Sequence, residues 1–245
     1  SQVVGFAVPV NLAREVMGRI VKYGKVTRGY LGVYIQDLNA DLAAEFNVPD
    51  QNGALVSSVG SDTPAAKAGL KNGDVIVELD GKKVKDSSQL RFMVAQTMPD
   101  TRVTLKIIRD GKEKSVEATL GTLPDKARSS NENGYGQDNQ PNNDLMDGVE
   151  VADLDSQARQ EFNIPSRVRG ALVTGVESGC PADDAGLHTG DVIVEINHHR
   201  VRDADDAVDL TNNLKGDRVL LRVWSRGENG RSGTHYLVVE ESKDE

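Results

Sequence analysis

Arg28-Gly29-Tyr30-Leu31-Gly32-Val33, running on into Tyr34-Ile35-Gln36, is the stretch of this chain with the most definite chemistry. Two glycines flank a bulky apolar pair, so the backbone can curl and aim successive N–H groups at one point, the geometry of an anion nest. A strand follows at once. A nest feeding an open strand suits capture of a peptide's terminal carboxylate, with the peptide pairing along the strand. Alternation along that strand sends Leu31, Val33 and Ile35 to one face, where they would line an apolar pocket, and Tyr34 and Gln36 to the other. Glycine turns before strands also make ordinary hairpins and bulges, so the meaning of this one rests on the elements around it.

Covalent chemistry has less to work with. Nucleophilic hydrolysis needs a nucleophile, a base and an orienting acid within hydrogen-bond reach, and no Gly-x-Ser-x-Gly motif is present. The four histidines, His188, His198, His199 and His235, all fall in the second half, so the first half has no imidazole for acid–base work. His198-His199 reads as a solvated hairpin turn. The single cysteine, Cys180, excludes an internal disulfide and a cysteine-built zinc site, and reads as a small structural residue. No cofactor is called for.

The net charge of −9 argues against sequence-independent nucleic-acid binding or adhesion to anionic lipid. No apolar run approaches the roughly 18 residues of a membrane helix, and no series resembling a signal peptide opens the chain, which reads as a soluble piece.

The elements that would position the nest can be read in order. Val3 to Val8 is a short strand ended by Pro9, and Leu12 to Tyr23 carries apolar residues at helical spacing up to Gly24. These two are too small to fold alone. Leu38, Leu42 and Phe46 share a helix face closed by Pro49, and Gly53 to Val59 is a strand. A short helix starts at Pro64, and Gly73 to Asp80 is a turn opening a buried strand. Asp80-Gly81 is a hairpin signal, Asp86 or Ser87 caps a helix to about Met98, and Arg109-Asp110-Gly111-Lys112 joins two more strands, Val103 to Ile108 and Ser115 to Leu120. Residues 121 to 144 have almost nothing apolar to bury and read as a linker.

The pattern then starts again. Glu45-Phe46-Asn47-Val48-Pro49 returns as Glu161-Phe162-Asn163-Ile164-Pro165, Gly53-Ala54-Leu55-Val56 as Gly170-Ala171-Leu172-Val173, Ala68-Gly69-Leu70 as Ala185-Gly186-Leu187, and Gly73-Asp74-Val75-Ile76-Val77-Glu78 as Gly190-Asp191-Val192-Ile193-Val194-Glu195. The period far exceeds the roughly 20 to 50 residues of a solenoid repeat, so this is a tandem of autonomous domains.

Pro-Ala, Ala-Gly-Leu, Gly-Asp-Val-Ile and Leu-Asp-Gly in that order, after a Gly-Tyr-Leu-Gly-Val loop and before a helix and two strands, resemble a bacterial, circularly permuted PDZ domain. Gly5-Phe6-Ala7-Val8-Pro9, a helix, and then Lys25-Val26-Thr27-Arg28-Gly29 are similar to the junction between protease and first PDZ domain in the HtrA or Do-like (DegP/DegQ-type) serine endoproteases. The resemblance implies a mainly β fold with short helices, two PDZ-like domains in tandem, each a sandwich or partly open barrel. It divides the chain into the tail of an upstream protease domain (1–24), a first PDZ domain (25–122), a linker (123–144) and a second PDZ domain (145–245). This stretch itself is then expected to be non-enzymatic.

The resemblance also assigns roles. The N–H groups from Leu31 to Val33 hold a carboxylate, a peptide adds to the strand from Val33 to Gln36, and the helix starting near Asp86 faces it with Leu90 and Val94, spaced i, i+4, as the pocket wall or as plain core. Arg28 would assist the carboxylate, and Tyr30 is a gate or a packed aromatic. The implied partners are C-terminal peptides of unfolded or misfolded proteins and the upstream protease domain, with self-association of the full-length protein, in the periplasm. A tandem scaffold that only tethers partners, or the PDZ part of another protease class, would carry the same domains. In the second copy Met146-Asp147-Gly148-Val149 stands opposite Tyr30-Leu31-Gly32-Val33, and Asp203, Asp205, Asp206 and Asp209 crowd its helix. A carboxylate at Asp147 would repel a terminal carboxylate by about 1 kcal/mol in water at 4 Å, and about 4 at an effective dielectric of 20, so that copy is expected to serve in contacts between domains or subunits.

Overall fold

The computed structural model describes residues 28–122, 143–146, 148–212, 218–226 and 232–240. The strand and helix expected over 1–24, residues 25 to 27, most of the linker, and Asp147 lie outside the described residues.

The first domain opens with β1 (Gly29–Tyr30), β2 (Val33–Gln36) and α1 (Ala40–Glu45), and continues through β3 (Ala54–Val59), α2 (Pro64–Lys67), β4 (Val75–Leu79) and β5 (Lys82–Lys83). It closes with α3 (Ser87–Gln96), β6 (Arg102–Arg109), β7 (Lys112–Thr119) and β8 (Gly121–Thr122). Each helix starts where a short polar side chain can take an orphan N–H. Asn39, Thr63 and Asp86 accept from Leu42 N (2.8 Å), Ala66 N (3.2 Å) and Gln89 N (2.6 Å). The two hairpins turn at Asp80-Gly81 and Asp110-Gly111, all four residues at positive φ, as two-residue turns that follow the strand twist require.

The strands form an open antiparallel sheet, order β2-β3-β4-β6-β7, with β5 hooked onto β4 and β1 paired separately with β8. One face buries a core of Leu31, Val56, Ile76, Leu90, Leu105 and Ile107 with their neighbours.

The second domain repeats the plan with β9 (Asn143–Met146), β10 (Val149–Asp153), α4 (Ser156–Glu161), β11 (Ala171–Val176), α5 (Pro181–Asp184), β12 (Val192–Ile196), β13 (His199–Arg200), α6 (Ala204–Asn212), β14 (Arg218–Arg226) and β15 (Ser232–Glu240). Its sheet runs β15-β14-β12-β11-β10-β9, also open. The first strand starts at Asn143, inside the stretch read as linker. The hairpin between β12 and β13 turns at Asn197-His198, both at positive φ, one residue earlier than His198-His199.

The copies differ at one buried carboxylate. Asp74, fully buried, is held by the Arg109 guanidinium (Nε to Oδ1 2.5 Å, Nη2 to Oδ2 2.7 Å), which also donates to Gly69 O. Val75 pairs with Ile108 as Val192 pairs with Trp224, so Ser225 stands where Arg109 does. Asp191 has thus lost its guanidinium, and burial pushes its carboxyl above the usual value.

The two domains pack together. Leu38, Leu42, Phe46, Leu55, Val75 and Ile108 form one cluster with Leu220 and Tyr236 of the second domain. The Phe46 ring meets those of Tyr236 (5.2 Å) and His198 (5.9 Å) edge to face. The apolar stripe of α1 therefore serves the neighbouring domain as well as its own.

Candidate functional site

The loop between β1 and β2 is built by two glycines with different tasks. At Gly29 a Cβ would lie 2.4 Å from Val94 O and 2.6 Å from Thr97 O, and its N–H donates to Thr97 O (3.1 Å). Gly29 therefore lets β1 lie against the end of α3. Gly32 makes the turn itself, at φ +84°, where a Cβ would stand 2.3 Å from Thr63 Cβ.

The direction of the loop's N–H groups follows from what its carbonyls do. Leu31 O accepts from Ala65 N (2.9 Å) and Gly32 O from Gly60 N (3.0 Å), so both carbonyls are turned inward toward α2 and the end of β3. In a trans peptide the N–H points opposite to the C=O it is joined to. The N–H groups of Gly32 and Val33 therefore point outward together, as an anion site needs.

β2 is an edge strand, paired with β3 on one side only. Val33 lies opposite Val59, and the Gly60-to-Gly32 bond marks this as a non-hydrogen-bonded pair, leaving the N–H and C=O of Val33 on the open edge. The register shifts between Tyr34 and Ile35, a bulge that twists this end of the strand. Val33 and Ile35 are half-buried at the core margin, as is Met93 of α3, while Tyr34 is 53% exposed on the opposite face.

The helix is tied at one end to the residue after β2 and at the other to β1. Asp37, just past β2, accepts from Ser87 N (2.7 Å) at the start of α3, and this hydrogen bond with the Ser87 backbone and then its hydroxyl holds the Asp37 carboxyl below its usual range. The far end is the Gly29–Thr97 bond. The helix and β2 thus flank a groove, with the N–H pair at its head.

Leu90 (1% exposed) and Val94 (8%) share the core with Leu31 (3%), so these three support the groove from beneath. Its apolar margin is Val33, Ile35 and Met93. Arg28 is exposed at the loop's entrance and Tyr30 is half-buried. Sequence reading passed over Asp37, Thr63 and Met93. The signal for Asp37 was available in Asp153, its counterpart, which accepts from Ala204 N (3.0 Å) at the start of α6.

In the second copy the equivalent edge is occupied. β9 pairs antiparallel with β10, Val149 opposite Met146 and Val151 opposite Asn143, and lies beside α6. The chain's own backbone thus fills the place that is open beside β2. Cys180, the counterpart of Thr63, makes no side-chain cap, so α5 lacks the hydroxyl contact of α2. Among the described residues no group of three metal-ligating side chains is gathered, and no helix is long and apolar enough to cross a membrane.

Residues 29–120 match a family model for the PDZ domain, and residues 172–225 match another. The chain thus carries two PDZ domains in tandem. Over 225 residues it is 36% identical to the probable periplasmic serine endoprotease DegP-like of Chlamydia muridarum, covering 92% of this chain and 43% of that protein. It is 35% identical to the protein of the same name from Pseudomonas fluorescens, covering 91% and 46%. A solved structure of the HtrA-type protease AlgW with decapeptide is 37% identical, covering 51% of this chain and 38% of that one, with a TM-score of 0.45. The chain is a tandem PDZ region similar in sequence to the DegP-like proteins, and it spans a little under half the length of these curated relatives.

Proposed function

We propose that this region is the substrate-recognition and regulatory module of a periplasmic protein-quality-control serine endoprotease, binding the apolar C-termini of unfolded proteins in its first PDZ domain. The observation that supports this best is the open edge of β2, headed by the paired N–H groups of Gly32 and Val33 and faced by a helix tied down at both ends. A peptide adds to β2 as an antiparallel strand, its carboxylate accepting the two N–H groups and its last side chain lying on Val33, Ile35 and Met93 over Leu31, Leu90 and Val94. Arg28 and Tyr30 stand at the entrance, while Tyr34 faces away. A first domain over 25–122, a second that takes in β9 and so runs from 143 to 245, the protease tail over 1–24, catalysis by the part of the protein upstream, and self-association of the full-length protein belong to the same reading.

The test is a titration of labelled peptides ending in an apolar residue, with free and amidated C-termini. Hydrogen bonds to a charged group contribute roughly 1.5–3 kcal/mol, so amidation is expected to weaken binding by about tenfold or more. Equal affinity of the two forms would exclude carboxylate capture.

A further inference from the structure

Where the two domains meet, a crevice of about 440 Å³ opens between Tyr34 and Ser58 of the first domain and the β14–β15 face of the second. Arg167, Arg169, Arg200, Arg202 and Arg222 line it, and among the described residues no carboxylate does, although the chain carries net charge −9. Two of these arginines are neutralised locally, Arg202 by Asp206 (2.8 Å) and Arg222 by Glu195 (2.6 Å). Arg167, Arg169 and Arg200 are exposed and have no ion-pair partner among the described residues. Arg222 is 11% exposed, and its Nε has no hydrogen-bond partner among them either. Such an accumulation of guanidinium groups costs repulsion unless an anion shares the space, and the planar fork of arginine suits carboxylates in pairs.

The backbone at the same place is unpaired. The N–H and C=O of Tyr236 point away from β14, since both bond to the Gln36 side chain. The β14–β15 register is unbroken, so Thr234, two residues earlier and lining the crevice, presents its own N–H and C=O along the same edge. These two groups have no partner among the described residues. The crevice thus offers a length of open strand edge beside three uncommitted guanidinium groups, with Trp224 as its apolar floor.

We infer that this crevice binds an extended acidic peptide segment, which pairs with the edge of β15 at Thr234 and places its carboxylates on Arg167, Arg169 and Arg200. The site is separate from the groove beside β2 and needs no free C-terminus. A folded acidic surface could not reach the recessed edge, and a peptide backbone supplies the donor and acceptor that the edge lacks.

The test uses the full chain and a fluorescein-labelled heptapeptide, acetylated and amidated, with three Asp alternating with Ser between terminal Gly residues. The peptide is expected to bind in low salt and to weaken as salt screens the exposed arginines. Binding should fall about tenfold or more in the Arg169→Ala/Arg200→Ala double variant, whose replaced side chains are surface groups, and much less in Arg169→Lys/Arg200→Lys. It should be unaffected by Val33→Arg, which blocks the groove. The inference is overturned if the peptide does not bind, if an Asn-for-Asp version binds equally well, if the Ala double variant binds as tightly as the parent, or if Val33→Arg abolishes binding. Binding of inorganic polyphosphate without binding of the peptide would make this a polyphosphate site and would also overturn it.

Discussion

The side-chain amide of Gln36 takes both backbone polar groups of Tyr236, donating to its carbonyl at 3.1 Å and accepting from its N–H at 2.7 Å. An amide side chain here does what a neighbouring strand would do, closing one position of the β15 edge. It does so from β2, the strand that a peptide would extend. Gln36→Ala leaves the two Tyr236 groups unsatisfied at a half-buried contact, a loss of about 1–3 kcal/mol from interdomain docking. Hydrogen exchange at Tyr236 should accelerate, while exchange at Ile107 in the first core stays unchanged. Unaltered protection of Tyr236 would show that Phe46 and its apolar neighbours hold the interface alone.

The head of the groove depends on Gly32. With φ at +84° and Thr63 Cβ 2.3 Å from where a Cβ would stand, Gly32→Ala must shift the loop and misalign the N–H pair. Peptide affinity should drop by about tenfold or more. Gly81→Ala is the control, since its Cβ would meet nothing within 4 Å and it lies in a distant turn; strain there should reduce stability without changing affinity at saturating fold. Retained binding in Gly32→Ala would remove the loop from the site.

The second domain should not take a peptide while β9 lies on β10. Calorimetry with a free C-terminal peptide is expected to give one site per chain. Replacing 143–146 with a Gly-Ser stretch of equal length should raise the number toward two, if the self-pairing is the barrier. A number that stays at one would leave the composition of the second groove as the cause.

Arg109→Ala strips a fully buried carboxylate of its partner. Breaking such a pair typically costs about 3–5 kcal/mol, so the urea midpoint of the first domain should fall sharply. Ser225→Ala, at the matching place in the second domain, should change its midpoint little. Similar midpoint changes in the two variants would contradict the difference between Asp74 and Asp191.

Two groups in the second domain make its stability depend on pH in opposite senses. Burial holds the His235 imidazole below its ordinary 6.5, so its contribution is full above that value and is lost as the pH falls through the lower folded value. Burial raises the Asp191 carboxyl above 3.8, so its contribution is full below that value and is lost as the pH rises through the higher folded value. In urea titrations from pH 7 downward, the second domain should therefore weaken below about pH 6.5 through His235. His235→Gln should flatten that part of the profile, and an unchanged profile would acquit the histidine.

Much of the scaffold was legible in the residues because it is written in local chemistry. Asp86 is a helix cap in sequence and in structure, and Asp80-Gly81 and Asp110-Gly111 turn where their types require. The repeat separated the two domains without any structural knowledge. What stayed hidden depends on partners far along the chain. Phe46 reads as the inner face of a small helix, and nothing local says that Tyr236 will meet it. The occupied edge of β10 was equally unreadable, since Asn143 and Asp144 resemble linker by composition, and only the pairing with β10 makes them part of a strand. Asp147, on which the sequence argument about that groove rested, lies outside the described residues.

The small ladder joining Gly29 and Tyr30 to Thr122 and Gly121 also fixes how the first domain is strung on its chain. The strand that enters and the strand that leaves lie side by side, so the domain hangs from the main line of the polypeptide as a closed loop. A pull between the parts before Arg28 and after Thr122 reaches this two-residue clasp before it reaches the sheet from β2 to β7. The clasp therefore takes the load of such a pull before the strands that build the groove do.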